Sequence, residues 1–208
     1  QRNKLLKELY LHPDYREVLD VLDMQLVQYG SALIQRRQTF AEELGEIVHR
    51  IHSQLSGGQE EMELKYEPNV TVDAFAQMLF ANRERDMRLK TTATGPHRDD
   101  ISFVVNGVDI RKFGSQGQQR TAALSLKLSE IELVKRLIGD TPVLLLDDVL
   151  SELDSGRQNY LLNSIENIQT LITCTGLDEF VNHRFSINRI YKVTDGSVTV
   201  ENKQEADR

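Results

Sequence analysis

Two neighbouring carboxylates, Asp147 and Asp148, close an aliphatic run, Val143-Leu144-Leu145-Leu146. Such a run predicts a strand buried on both faces of a sheet, and its carboxyl end is the edge where open α/β sheets bind ligands. Placed there, Asp147 can reach a magnesium ion bridging nucleotide phosphates, directly or through water. Asp148 beside it can orient or deprotonate an attacking water. Taken alone, the pair fits equally well a strand cap that begins a turn. Its neighbours tip the balance. Ser151-Glu152-Leu153-Asp154 follows at once, and upstream Phe113-Gly114-Ser115-Gln116-Gly117-Gln118-Gln119-Arg120 runs straight into an apolar-faced helix. A serine hydroxyl and unpaired backbone N–H groups at a helix N-terminus favour phosphate. A side chain at Gly117 would hold a ligand away from that backbone.

Several elements must position these residues. From Tyr15 to Leu55 the apolar positions are Tyr15, Val18, Leu22, Leu26, Tyr29, Leu33, Phe40, Leu44, Ile47, Ile51 and Leu55, with a gap at Arg36-Arg37. That spacing predicts one helix of roughly 40 residues, on the order of 60 Å long at ~1.5 Å per residue. Pro13-Asp14 suits its start, Gly57-Gly58 its end, and Gly30-Ser31 a bend midway. A helix of that length reads as an arm, with Lys4–Leu11 and a helix around Asp73–Leu89 as partners. A short strand is expected near Glu63–Tyr66. After Lys90 strands and helices alternate. Ile101–Val105 and Val108–Ile110 flank Asn106-Gly107, a strong hairpin signal. Gln118–Ile138 reads as a helix with Leu124, Leu128, Ile131, Val134 and Ile138 on one face, stopped by Gly139. Arg157–Asn167 reads as a helix, Thr170–Cys174 as the next buried strand, and Arg189–Val193 with Ser197–Val200 as a closing hairpin. The division expected is a helical arm, 1–93, and a second lobe, 94–208.

The chain has 208 residues, 39% hydrophobic and 27% charged, with a formal net charge of −7. That is globular composition, and it argues against a wholly basic DNA-coating protein without excluding a local basic face. No apolar run approaches a membrane span and no secretory leader is recognised. The single cysteine, Cys174, cannot form an internal disulfide, which makes a reducing cytoplasm the expected location. The first residue, Gln1, sits inside a helical pattern, so a segment upstream is expected.

The three elements, in order, resemble the ABC ATPases. GSQGQQR is similar to their signature, with Gly114 and Gln116 at its first and third positions. The strand ending at Asp147 resembles their Walker B strand, and SELD their D-loop. Thr94-Gly95-Pro96-His97-Arg98-Asp99-Asp100, then GSQGQQR, then LLLDDVLSELD, closely resemble the RecF family of bacterial recombination mediators, whose heads are ABC-like. This likeness is specific from Thr94 to Gly176 and weaker before Lys90. It implies an α/β fold: an ABC-ATPase-like head lobe, a mixed sheet with flanking helices, plus an α-helical arm.

It also implies that Ser115, Gln116, Gly117 and Gln118 meet ATP held by a second subunit in a head-to-tail sandwich, with Ser115's helix beside the Asp147 strand. Asp154 would touch that subunit. Asp147 would serve Mg²⁺. Asp148 would stand where many ABC proteins have glutamate, one methylene longer, so slow hydrolysis is expected. The family's histidine after the following strand is absent from Thr173-Cys174-Thr175-Gly176, leaving Thr175 as its stand-in. RecF-type proteins are expected to bind DNA and ATP, dimerise on ATP, and act with RecO and RecR to load RecA at gaps. No G-x-x-x-x-G-K-[ST] occurs in these residues, so these residues alone are expected to neither hydrolyse ATP nor bind it tightly. A transporter nucleotide-binding subunit, an SMC-type head and a purely structural module are the competing readings; the long arm and the RecF-like strings disfavour them.

Weaker signals have plainer readings. Leu55-Ser56-Gly57-Gly58-Gln59 spells the ABC signature literally, yet it ends a helix and runs into Glu60-Glu61, so a helix stop is expected. His97 and Arg98 are expected chiefly to set a turn. His49 and His52 lack partners at metal spacing and read as a solvated helix face. Arg83, Arg85, Arg88 and Lys90 alternate with acids and read as solubilising. Cys174 reads as core.

Overall fold

The computed structural model describes residues 1–9, 11–175 and 187–201. They are α/β, and packing divides the chain into two compact units, Gln1–Gly139 and Asp140–Arg208.

The first unit is organised by α2, Arg16–Leu55, an unbroken 40-residue helix. A 3-10 turn at Pro13–Tyr15 leads into it. Beyond Leu55 the chain turns out through Gly57 (φ 64°) and Gly58 (φ 78°), left-handed conformations that glycine adopts without a Cβ penalty. The literal signature string is therefore a helix C-terminus. Carbonyls face outward there, the wrong polarity for phosphate.

α1 (Arg2–Glu8) and α3 (Val72–Ala81) lie along α2, while α4 (Arg83–Leu89) follows α3 and touches α1. β1 (Met62–Glu67) and α6 (Gln116–Ile138) also pack on α2. The buried stripe of α2 differs from the expected one in its first half. Tyr15, Val18, Tyr29, Leu33 and Phe40 are exposed, and Leu19, Ile34 and Ala41 are buried instead. The cause lies at Gly30, where an added Cβ would sit 2.6 Å from Phe75 Cε1. That approach seats the fully buried Phe75 ring on the backbone of α2 and turns the adjacent stripe inward. Burying a ring of that size contributes about 1.5–3 kcal/mol.

Two polar clusters pin the helices. Buried Arg2 donates from Nε to Asp23 at 2.6 Å and from Nη1 to Asp86 at 2.7 Å and Thr92 at 2.8 Å. Removing Arg2 would leave the fully buried Asp86 carboxylate without its counter-charge, at a cost of about 3–5 kcal/mol. The gap at Arg37 is a second clasp: its guanidinium donates to the Pro96 carbonyl and, at 2.9 Å, to Asp99. Asp99 also accepts from the Tyr66 hydroxyl and from the Asn69 N–H.

β1, β2 (Asp100–Val105) and β3 (Val108–Asp109) form an antiparallel sheet in that order. Met62 faces Val105 and Glu67 faces Asp100, so the sheet joins residues on both sides of position 93. Asn106 (φ 48°) and Gly107 (φ 82°) make the two-residue turn. Ile110 does not extend the hairpin. It opens a short helix, α5 (Ile110–Phe113), because the Asp109 carboxylate caps the Arg111 N–H at 3.0 Å. Helix α6 ends at Gly139 (φ 74°).

In the second unit, β4 (Leu144–Asp147) pairs in parallel with β5 (Thr170–Thr173), register partners Leu144 with Thr170 and Asp147 with Thr173. α7 (Ser155–Ser164) supplies buried Leu161 and Leu162. β6 (Ile190–Thr194) and β7 (Ser197–Glu201) form an antiparallel hairpin turning at Asp195-Gly196. Burial on both faces of β4 is not observed. Leu146 is buried, but Leu145 and its register partner Leu171 are 71% and 56% exposed, since successive side chains alternate faces and no described element covers this one. Cys174 lies one residue past β5 and is exposed, not core.

Candidate nucleotide site

The candidate residues fall on two structures, one in each compact unit. The first is the corner between α5 and α6. Ser115 is the N-cap of α6: its Oγ accepts from the Gln118 N–H at 3.2 Å, and the Gln118 side-chain oxygen accepts from the Ser115 N–H at 3.0 Å. This reciprocal capping box fixes the first turn. The N–H groups of Gln116 and Gly117 have no acceptor among the described residues, as helix geometry dictates for N1 and N2. Ser115, Gln116 and Gly117 are exposed. The helix therefore begins two residues before the expected Gln118, and the corner presents a hydroxyl and two N–H groups at the positive end of a 23-residue dipole.

The two glycines of the corner differ. At Gly114 a Cβ would lie 2.6 Å from the Ile110 carbonyl oxygen and 2.7 Å from Ile110 Cβ. Chain packing alone therefore requires glycine there. At Gly117 a Cβ would meet only Ser115 Oγ, at 3.9 Å. Nothing in the described chain demands a glycine at that helical position, where it weakens the helix.

The second structure is the carboxyl end of β4. Asp147 and Asp148 are both exposed. The Thr173 hydroxyl donates to Asp147 Oδ1, and the Asp148 N–H donates to the Thr173 hydroxyl oxygen at 3.1 Å and its carbonyl at 3.2 Å. Asp148 has φ 50°, a left-handed conformation that aspartate tolerates better than most side chains. The Ser151 hydroxyl donates to the Asp148 carbonyl at 2.9 Å. The Thr173 side chain thus holds the Asp147 carboxylate and the Asp148 backbone; a strand-end threonine beside the pair is its only sequence signal, and the sequence reading assigns it no role. Thr175 is exposed, two residues beyond β5; Gly176 lies outside the described residues.

Asp154 stands apart as the N-cap of α7. It accepts from the Arg157 N–H at 3.0 Å and from its guanidinium at 2.6 Å. The Arg157 N–H, followed by its positive charge, holds the Asp154 carboxyl below the usual range despite partial desolvation.

The histidines and the basic cluster are also placed. His97 bonds through Nε2 to the Thr92 carbonyl at 2.9 Å inside the turn after Gly95. Arg98 is exposed. His52 is not on a solvated face: it is fully buried, because α6 packs over it. His49 is exposed but bonds to the Met62 carbonyl at 3.2 Å. Arg83 is engaged by Asp20 and Asp23, at 2.6 and 2.7 Å. Arg85, Arg88 and Lys90 are exposed. No metal-binding cluster of His, Cys, Asp or Glu occurs among the described residues, and no described helix is long and apolar enough to cross a membrane.

Known proteins match this chain along nearly all of it. The DNA replication and repair protein RecF of Lachnospira eligens is 58% identical over 204 residues, 97% of this chain. That of Clostridium perfringens is 40% identical over 203 residues. A solved structure described as the recombination mediator protein RecF-ATP in the RecFOR pathway superposes with a TM-score of 0.83 at 32% identity, covering 97% of this chain. The sequence is of the RecF type. A second solved RecF, with ATPrS, gives 0.82 at 34% identity. The chain spans 56% of the Lachnospira protein and 55% of the RecF-ATP chain, about half of each. No protein-family model matches it.

Proposed function

We propose that this chain supplies the signature, Walker B strand and D-loop of a RecF-type DNA-repair protein that binds ATP and Mg²⁺ and dimerises head-to-tail on ATP. The observation that carries this reading is the exposed first turn of α6, where the Ser115 hydroxyl and the Gln116 and Gly117 N–H groups lie together and Gly117 is not required by the fold itself. In the proposed sandwich this turn meets the γ-phosphate held by a second subunit, with Gln118 fixing Ser115. Asp147 serves Mg²⁺ on its own subunit's nucleotide, and Asp148 orients the attacking water. The RecF-ATP match supports the nucleotide; oxygen donors at a strand's carboxyl end suit a hard dication.

Asp154 would act in the sandwich through the turn it caps, since its carboxylate is engaged by Arg157. Thr175 remains the proposed counterpart of the family histidine. The functional division proposed is arm 1–93 and lobe 94–208, distinct from the packing boundary after Gly139. By likeness to proteins described as RecF of the RecFOR pathway, the full-length protein is proposed to bind gapped DNA in the cytoplasm. There it would hydrolyse ATP slowly and act with RecO and RecR in loading RecA. With no P-loop in these 208 residues, they are proposed to lack ATPase activity alone. The transporter, SMC-type and purely structural readings have no comparable support, the 58% identity being to RecF.

The test is sedimentation of the full-length protein with and without ATP, alongside Ser115→Arg. ATP should shift the parent to a dimer and leave the variant monomeric. A parent that stays monomeric, or a variant that dimerises normally, refutes the reading.

A further inference from the structure

The loop that ends α2 reaches the first turn of α6. Ser56 Oγ accepts from the Glu60 N–H at 3.2 Å, so the helix stop itself presents Glu60. Glu60 Oε1 then accepts from the Gln118 amide nitrogen at 2.9 Å. Its other oxygen faces His52 Nε2 at 3.1 Å. The His52 ring is fully buried, and its Nδ1 lies 2.9 Å from Ser125 Oγ, one face of α6 deeper. The Ser125 hydroxyl in turn donates to the Thr121 carbonyl at 2.7 Å.

This arrangement decides which way the Gln118 amide points. Its oxygen must face the Ser115 N–H for the capping box to close, and its NH₂ then faces Glu60. A flipped amide would set oxygen against the Glu60 carboxylate and NH₂ against a backbone N–H, losing two hydrogen bonds at once. The carboxylate is charged and partly desolvated, which strengthens the bond it accepts. His52, fully buried in the α2–α6 contact, backs that carboxylate at 3.1 Å.

Building on the reading of Ser115–Gln118 as the phosphate-facing signature, we propose that Glu60 and His52 are positioning residues for nucleotide-driven pairing. They lock the Gln118 amide, and through it the Ser115 hydroxyl, in the orientation that meets a phosphate. Neither residue touches the nucleotide. The literal LSGGQ string thereby acquires a role: it turns the end of the arm helix so that the next residue reaches the working signature.

The experiment uses the full-length protein with Glu60→Ala, Glu60→Gln and Ser115→Ala. Affinity for a fluorescent ATP analogue is measured at protein concentrations too low for pairing, and ATP-driven dimerisation is measured separately by sedimentation. Glu60→Ala should weaken dimerisation about tenfold, the scale of one charge-assisted hydrogen bond, while monomer affinity for the nucleotide stays unchanged. Glu60→Gln should restore most of the loss, because its amide oxygen still accepts from Gln118. If Glu60→Ala pairs like the parent while Ser115→Ala does not, the positioning role is refuted and the signature reading survives. If Ser115→Ala also pairs like the parent, the signature reading itself fails and takes this inference with it. Equal losses in monomer affinity and dimerisation, unrescued by glutamine, would mark Glu60 as a structural tie and overturn the proposal.

Discussion

The Thr173 hydroxyl donates to the Asp147 carboxylate while its oxygen accepts the Asp148 N–H at 3.1 Å. One side chain on β5 therefore holds the carboxylate that ends β4 and the backbone of the residue that follows it. Thr173→Val keeps the shape and removes both contacts, leaving Asp147 free to rotate and Asp148 without one acceptor. Mg²⁺-dependent ATP turnover by the full-length protein should fall about tenfold, the scale of one to two lost hydrogen bonds, and Thr173→Ser should restore it. Steady-state kinetics across a Mg²⁺ titration checks this; unchanged turnover in the valine variant contradicts it.

Asp148 is held at φ 50°, so its substitutions should separate chemistry from folding. Asparagine also tolerates the left-handed region. Asp148→Asn should melt close to the parent and abolish hydrolysis. Asp148→Val places a β-branched residue in that conformation and should cost about 1–3 kcal/mol, visible as a lower denaturation midpoint.

The glycines of the α5–α6 corner should respond oppositely to alanine. Gly114→Ala forces a methyl into the Ile110 backbone and should destabilise the first unit by about 1–3 kcal/mol. Gly117→Ala enters open space in a helix and should be neutral or stabilising by up to about 1 kcal/mol. The same Gly117→Ala should nevertheless impair ATP-driven dimerisation of the full-length protein. Paired thermal melts and sedimentation runs would show it; a Gly117→Ala protein that pairs normally would weaken the ligand reading of that position.

Desolvation, and next the hydrogen bond to Asp99, push the Tyr66 phenol from 10.0 up to about 12. Below pH 10 the phenol is neutral in folded and unfolded chains alike, and its favourable contacts are present in full. Between about 10 and 12 the unfolded chain gives up the proton first, so stability falls as pH rises through that window. Tyr66→Phe should remove this part of the alkaline decline. Denaturation midpoints measured from pH 9 to 12 would check it, and an unchanged slope in the variant would contradict it.

Local signals carried much of this architecture. Pro13 and Gly57-Gly58 bracket α2 in the sequence as they do in space, Asn106-Gly107 marks the hairpin, and Gly139 stops α6 where expected. These features act through a residue's own backbone preferences. What was illegible depends on neighbours distant in the chain. The stripe of α2 that faces inward is chosen by Phe75 approaching Gly30, a contact between residues 45 positions apart that no periodicity contains. His52 looks like a surface histidine until Ser125, a small residue on α6, is seen 2.9 Å from its ring where that helix closes over it. The apolar run Val143–Leu146 implies cover on two faces, and among the described residues only one is covered. At the candidate site the carboxylates and the serine were legible as chemistry. Thr173, Glu60 and the second-unit placement of Asp147 were not, because each is a matter of packing.

The central claim is that Ser115 serves a nucleotide held by the other subunit, whereas Asp147 serves its own. Mixing two full-length variants, Ser115→Arg and Asp147→Asn, tests it directly. Neither variant alone can assemble a complete site, but in a head-to-tail mixed dimer both lesions fall in one site and the other is whole. Ser115→Arg does not pair with itself, but the mixed dimer keeps one unaltered interface site, so turnover of the mixture should rise well above that of either variant alone. Turnover that stays at the level of the separate variants would place Ser115 and Asp147 at the same subunit's nucleotide and contradict the account.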